Sequence, residues 1–122
     1  MPGRRQQPGL PPRIPKDLRN AWLLLLLRDQ PSYGYVLRRA LSERGLAIEP
    51  GTLYRGLREL ERDELISSRW MEPAAGPRAR VYTITAEGRS CLDRLAAGIK
   101  LLRTAQKSFL DAYAGPRSRT VT

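Results

Sequence analysis

Hydrophobic residues recur at helical spacing in the first part of the chain. The first helix is predicted over residues 16–30, where a leucine-rich stretch covers one broad face and Pro31 prevents continuation. A second helix is predicted over residues 33–44, with Ser32 as its N-cap and Gly45 as its C-terminal stop. Two short, adjacent helices therefore open the folded part of the chain.

A third helix is predicted to begin at Pro50, and its two faces differ in chemistry. One face is apolar, because leucines recur at i, i+4 and i+7, at Leu53, Leu57 and Leu60. The opposite face of the helical wheel holds Gly51, Arg55, Arg58 and Arg62. Gly56 costs about 1 kcal/mol relative to alanine, which predicts that another group approaches closely there. The arginines form either an exposed binding ridge or a solvated face balanced by nearby carboxylates.

After residue 64 the pattern alternates, as in strands. Two strands are predicted, over residues 65–71 and 79–85, with a Gly-Pro turn at 73–77. A basic helix followed by such a hairpin is typical of a winged helix-turn-helix, so we expect a mainly α fold with a small β-hairpin. Arg78 and Arg80 are two residues apart and are predicted to share a strand face. One interpretation is that they contact DNA phosphates or the minor groove. The alternative is that they are solvated charges that discourage aggregation through the sheet edge.

Residues 86–114 predict one long helix with coiled-coil spacing. Its seam positions step by three and four residues, at Leu92, Leu95, Ile99, Leu102, Gln106, Phe109 and Tyr113. We expect no other element of so small a domain to cover this seam, so the helix is predicted to form a homodimer with a second copy. Gln106 is a polar interruption of the kind that fixes register.

The pattern divides the chain into four parts. We expect a basic Pro/Gly-rich arm (1–15), a winged-helix DNA-binding domain (16–85), a dimerisation helix (86–114) and a flexible tail (115–122). The cations at the start of the chain are expected to reach DNA or an anionic ligand, and they are Arg4, Arg5, Arg13, Lys16 and Arg19. A disordered arm without a role in recognition is the alternative.

Charge and composition limit the kinds of partner and activity that the chain can have. The 122 residues contain 22 Lys and Arg against 12 Asp and Glu, a net charge of +10 that favours polyanions. The longest apolar run, residues 21–27, is too short for a spanning helix of about 20 residues, so no membrane partner is expected. Because the chain has no His and a single Cys, histidine catalysis and Cys/His zinc sites are excluded within one chain. We expect a cytoplasmic protein that is not an enzyme and holds no metal or cofactor.

Three stretches resemble the PadR family of transcriptional regulators. They read LLLLLRDQPSYGYVLRRAL, EPGTLYRGLRELERDELISSRW and GPRARVYTITAEGR. The most specific parts are Pro50-Gly-Thr-Leu-Tyr54 and the run from Tyr82 to Arg89. The resemblance implies a dimeric winged-helix repressor of the branch with a short, single C-terminal helix. Glu49 stands where the family frequently has serine, which bears on the operator sequence and not on the fold.

The resemblance and the arginine face together define the candidate sites. The residues expected to contact a double-stranded DNA operator are Tyr33, Arg38, Thr52, Tyr54, Arg55, Arg58, Arg78 and Arg80. The resemblance also implies a small-molecule effector in a cleft between the dimer helices and the first helix. The large aromatic side chains available to line that cleft are Trp22, Trp70 and Phe109, for which core or interface packing is the alternative. A module that binds a partner protein instead of DNA is the alternative function.

Overall fold

The computed structural model describes residues 14–115. The cations Arg4, Arg5 and Arg13 and the tail from residue 116 lie outside the described residues. The elements, in chain order, are α1 (Lys16–Asp29), β1 (Ser32–Tyr33), α2 (Gly34–Glu43), α3 (Pro50–Arg62), β2 (Ile66–Met71), β3 (Ala79–Ile84) and α4 (Ala86–Ala114). This arrangement confirms a mainly helical winged helix-turn-helix followed by a long C-terminal helix.

The core is built mainly from leucines on the first three helices. The residues with the least exposure are Leu23, Leu24, Leu27, Leu37, Leu41, Leu53, Leu57 and Leu60, and the sheet adds Ile66, Tyr82 and Ile84. Burying one such side chain stabilises the fold by about 1.5 to 3 kcal/mol. The leucine run of α1 has core-facing residues on several sides, because α1 contacts α2, α3, β3 and α4. This packing holds the polar face of α3 outward.

The two predicted strands form the expected hairpin, β2 with β3, and the sheet also contains a third strand, β1, that was not predicted. The antiparallel order is β1-β3-β2, with Ser32 opposite Tyr82. Ser32 is therefore a strand residue and not the N-cap of α2, and its hydroxyl donates to the carbonyl of Gln30 at 3.4 Å. The helix begins at Gly34 without a side-chain cap. Gln30, the residue before Pro31, has an extended backbone, which ends α1 and favours a strand over a helix in the residues that follow.

Two helices end with a residue in the left-handed region. Gly45 has φ +76° after α2, which confirms it as the predicted stop. After α3 the same position is Glu64, with φ +62°, although it is not a glycine. The amide of Leu65 donates to the carbonyl of Leu60 at 2.9 Å, which closes the helix end and directs the chain into β2.

Helix α4 has the predicted bounds but is partly covered by its own chain. Thr85 caps it, because its hydroxyl accepts from the amide of Gly88 at 3.0 Å. Leu92 is buried in the chain's core and Leu95 packs against it, because the first turns of α4 contact α1. The expectation that no element covers this helix is therefore wrong for its first turns. The rest of the helix, from residue 100, is exposed.

Candidate nucleic-acid interface

The third helix separates its two faces as predicted. Leu53, Leu57 and Leu60 are buried. The side chains of Arg55, Arg58 and Arg62 are exposed on the opposite face. Pro50 occupies the first turn, where a backbone N–H has no partner within the helix, so its missing N–H costs no hydrogen bond. The leucines fix the helix on the core and leave the arginines exposed to solvent.

Helix α1 supports this helix from behind. The Nη2 atom of Arg19 lies 3.5 Å from Oε1 of Glu59, and Nζ of Lys16 lies 3.7 Å from the same oxygen. Lys16 and Arg19 belong to α1 and pair with Glu59, so their charges are not an extension of the arm. A Cβ at Gly56 would lie 2.9 Å from Nε of Arg19, which explains why a glycine stands inside α3. The close approach predicted at Gly56 is therefore made by Arg19.

The wing is attached to α3 through one carboxylate. The Ser68 hydroxyl donates to Oε2 of Glu61 at 2.8 Å, and Nη1 of Arg80 lies 3.9 Å from the same oxygen. Arg80 also donates to the Ser68 hydroxyl. The guanidinium carbons of Arg78 and Arg80 lie 5.1 and 5.0 Å from the centre of the Trp70 ring. Arg80 is thus held by intrachain contacts on one face of the hairpin.

The remaining residues expected to contact DNA are spread over β1, α2 and α3. Arg38 is exposed on α2, and Thr52 is half-buried in the first turn of α3. Tyr33 is half-buried, and its ring meets that of Tyr35 edge-on at 5.4 Å. Tyr54 is half-buried because its ring lies against Gly34, leaving no room for a Cβ there. Sequence reasoning did not include Tyr35, which is 47% exposed, since an isolated aromatic residue on a short helix carries no pattern.

The long helix carries exposed apolar side chains beyond its first turns. Leu102 is 52% exposed, Phe109 65% and Tyr113 78%, and the Phe109 and Tyr113 rings stack at 6.1 Å. Gln106 is exposed and Ile99 half-buried. Leu101 and Leu110, which lie beside the predicted seam, are also exposed and widen the apolar surface.

The three aromatic residues considered for an effector lie on separate elements. Trp22 is half-buried on α1, with the guanidinium carbon of Arg44 5.3 Å from its ring centre. Trp70 is on the wing, and Phe109 is near the end of α4. Within one chain, the structure does not bring these three side chains to one cleft.

The residues that the structure describes hold neither a metal-binding cluster nor a membrane-spanning helix. Residues 14–115 contain no group of three or more His, Cys, Asp or Glu side chains placed to hold a metal ion. Within the same range, no helix has both the length and the apolar character that a membrane span requires. Cys91 is half-buried against the core and forms no disulfide there.

The fold and the exposed arginine face define a winged helix-turn-helix protein. The family model described as "Transcriptional regulator PadR-like family" matches residues 23–94. The chain belongs to this family. It is therefore a DNA-binding transcriptional regulator and not an enzyme.

Solved structures of the same family agree with this assignment. A PadR-like transcription factor from Bacteroides fragilis is 33% identical, with a TM-score of 0.67, over 77% of this chain and 91% of that one. A PadR family transcriptional regulator from Eggerthella lenta is 32% identical, with a TM-score of 0.64, over 77% and 86%. One from Clostridium difficile is 25% identical, with a TM-score of 0.68, over 75% and 97%. No curated protein matches the chain.

Proposed function

We propose that the protein is a ligand-responsive repressor that binds a double-stranded operator as a homodimer. The observation that carries this proposal is the exposed arginine face of α3, opposite a leucine face that is buried. A helix presented in this way fits the major groove, and arginine bonds both guanine edges and phosphates. Residues 16–85 form the DNA-binding domain in this proposal.

The candidate residues differ in their proposed roles according to their placement. Arg55 and Arg58 lie on the exposed face of α3, so we assign them to base edges or to the phosphates that flank them. Tyr33, Thr52 and Tyr54 lie at or near the starts of α2 and α3, and Arg38 is exposed in the middle of α2; their hydroxyl and guanidinium groups suit phosphate contact. Arg78 lies next to β3 and suits the backbone beside the minor groove. Arg80 has intrachain partners and acts chiefly by holding the wing.

We assign the dimer contact to α4. Leu102, Phe109 and Tyr113 are exposed apolar side chains on one long helix, and large apolar patches of this kind mark interaction sites. Ile99 and Gln106 continue the seam, whereas Leu92 and Leu95 serve to dock α4 on α1. A second α4 covers the patch and spaces two copies of α3 for two half-sites.

The proposed effector lies between the dimer helices and α1. Trp22 on α1 and Phe109 on α4 are the aromatic residues placed on the elements that would border this cleft. Trp70 is on the wing, on the side of α3, and we assign it to another surface.

Footprinting on the DNA upstream of the protein's own gene tests the proposed function. We expect protection of a site with two-fold symmetry, because a symmetric dimer contacts two half-sites. Expression of a reporter from that promoter should fall when the protein is present. An unprotected promoter, together with specific capture of a partner protein, would favour the alternative of a protein-binding module.

A further inference from the structure

A cleft of about 520 Å³ lies between the wing and the starts of α2 and α3. Aromatic side chains are few in this chain, and many of them line this cleft. The side chains that matter for its chemistry are Tyr33, Tyr35, Tyr54, Trp70, Arg80 and Tyr82. This volume is in the range of small-molecule sites, about 300 to 1,000 Å³. The cleft is distinct from the proposed effector site between α4 and α1.

The aromatic walls are held in place by contacts within the chain. Trp70 is fixed by the guanidinium groups of Arg78 and Arg80, and Tyr54 lies against Gly34. Trp70 nevertheless keeps 53% of its surface exposed. Large aromatic surface that is fixed and exposed indicates a binding site more than a packing role.

The chemistry of the cleft favours a planar ring that carries a negative charge. Tryptophan and tyrosine faces bind a planar ring by stacking, and tyrosine hydroxyls can bond its polar edge. Arg78 and Arg80 place two positive charges at Trp70, and no acidic residue is among the described residues that line the cleft. Glu61 lies on the α3 side of Arg80, 3.9 Å from it, and neutralises part of that charge. Arg78 is not one of the residues that line the cleft, but it borders the cleft at Trp70, 5.1 Å from the ring centre. Arg78 is therefore the stronger candidate for an anion at the rim of the cleft.

We infer that this cleft binds a mononucleotide, with the base against Trp70 and Tyr35 and the phosphate at Arg78. A nucleotide combines the planar, hydrogen-bonding base and the anion that the cleft offers, and it fills more of the volume than a single-ring compound does. Tyr33, Tyr54 and Arg78 are also assigned to operator contact, so a bound nucleotide competes with DNA. The competition rests on the proposed function, whereas the binding itself does not.

Tryptophan fluorescence of the full chain tests the binding. The chain has two tryptophans, so Trp22→Phe leaves Trp70 as the reporter. Adenosine and guanosine monophosphate should each produce a saturable change. Adenosine alone should bind at least about fivefold more weakly, because it lacks the charge that Arg78 holds. No response to either nucleotide, or an equal response to inorganic phosphate, overturns the inference.

Two variants in the Trp22→Phe protein locate the site. Tyr35→Ala should weaken nucleotide binding by about 5- to 150-fold, as expected for losing one base-stacking contact. Arg78→Ala should weaken nucleotide binding several-fold more than adenosine binding, because adenosine loses only the support that Arg78 gives to Trp70. Arg69→Ala is the matched control, because Arg69 faces the other side of the hairpin from Trp70. If Arg69→Ala weakens nucleotide binding as much as Arg78→Ala, the cleft is not the site.

Gel shifts with the promoter fragment test nucleotide binding and operator binding separately. Nucleotide should release the unchanged protein from DNA at the concentrations that saturate Trp70 in the Trp22→Phe protein. If DNA stays bound while Trp70 responds, the nucleotide site stands but competition is overturned. If Trp70 responds and the protein never binds the promoter, the proposed operator function fails and the nucleotide site stands.

Discussion

Arg19 and Glu59 join α1 to α3, the helix that we propose to bind DNA, through an ion pair of 3.5 Å. The Arg19 side chain is only 11% exposed, and it occupies the space that a side chain at position 56 would need. Besides the buried leucines of α3, the close approach of α3 to α1 thus depends on the absence of a side chain at Gly56 and on Arg19, which occupies that space. Since α1 also contacts α4, α1 connects α3 to the element that carries the proposed dimer contact.

Replacing Gly56 by alanine should have an effect that depends on Arg19. Alanine favours a helix over glycine by about 0.5 to 1 kcal/mol. In the Gly56→Ala protein, we expect this gain to be offset, because the new Cβ displaces the guanidinium from Glu59. In an Arg19→Ala background, the full gain should appear. Urea unfolding at one fixed protein concentration measures both differences, and an equal gain in the two backgrounds would contradict the assigned contact.

Arg78 and Arg80 should differ in what their loss affects. Arg80→Ala should lower the free energy of unfolding by about 1 to 2 kcal/mol, because it removes a bond to Ser68 as well as a cation–π contact. Arg78→Ala should lower it by no more than about 0.5 kcal/mol. Arg78→Ala should instead reduce the salt slope of operator binding by about 1, as expected for one lost phosphate contact. Urea unfolding and gel shifts at several salt concentrations measure these effects.

A matched variant makes that comparison stricter. Ser68→Ala removes the hydroxyl between Arg80 and Glu61 but leaves every charge in place. It should lower stability in the same direction as Arg80→Ala and leave the salt slope unchanged. A large change in salt slope for Ser68→Ala would mean that the wing's position, and not the charge of Arg78, controls that slope.

The pattern of side chains predicted the helices and the face of α3, because these depend on local periodicity. The buried set Leu53, Leu57 and Leu60 and the exposed arginines follow from a spacing of 3.6 residues per turn. Strand β1 was missed, because its two residues are too few to show alternation. Its pairing with β3 joins residues about 50 positions apart, which no local pattern encodes.

Of the candidate site, only the positions of the charged residues could be predicted from the sequence. The ion pairs of Arg80 with Glu61 and of Arg19 with Glu59 could not, because they depend on how elements far apart in sequence pack together. The packing of α1 against Leu92 was not predicted for a similar reason. The five consecutive leucines of α1 are apolar all round, so they do not reveal which helix each side faces.

Loss of Arg55 should weaken specific binding more than binding to unrelated DNA. If this exposed residue reads a base, Arg55→Ala should cost about 1 to 3 kcal/mol of operator affinity. Arg94→Ala removes an exposed charge from α4 and serves as the control, with operator affinity close to that of the unchanged protein. Equal loss for operator and unrelated DNA would assign Arg55 to a phosphate instead.

Lysine at Ile99 and Leu102 should separate the two copies of the chain. Two charges in an apolar seam remain unpaired on dimerisation, so the double variant should sediment as a monomer and lose operator binding together. Leu101→Lys tests the register, because Leu101 is 75% exposed but lies beside the predicted seam. That variant should remain dimeric. A monomeric unchanged protein in sedimentation would contradict the proposed dimer.

Tyr82 gives the fold a defined sensitivity to alkaline pH. Burial raises the pKa of the Tyr82 hydroxyl above its ordinary value of 10.0, even though Arg80 nearby favours the phenolate. The folded protein therefore holds this proton at pH values where the unfolded chain has released it. The contribution is fully present below pH 10 and is lost as pH rises towards the higher pKa of the folded state.

Tyr82→Phe should accordingly flatten the fall of stability with pH on the alkaline side. The side chain is 5% exposed, so the phenyl ring keeps most of its packing and the proton linkage alone is removed. The quantity to measure is the free energy of unfolding by urea for both proteins, at neutral pH and at steps above pH 10, with the neutral difference as the reference. Titration of lysine ion pairs affects both proteins alike and cancels in the difference. We expect the difference to move in favour of Tyr82→Phe as pH rises, and a constant difference would show that burial does not hold the Tyr82 proton.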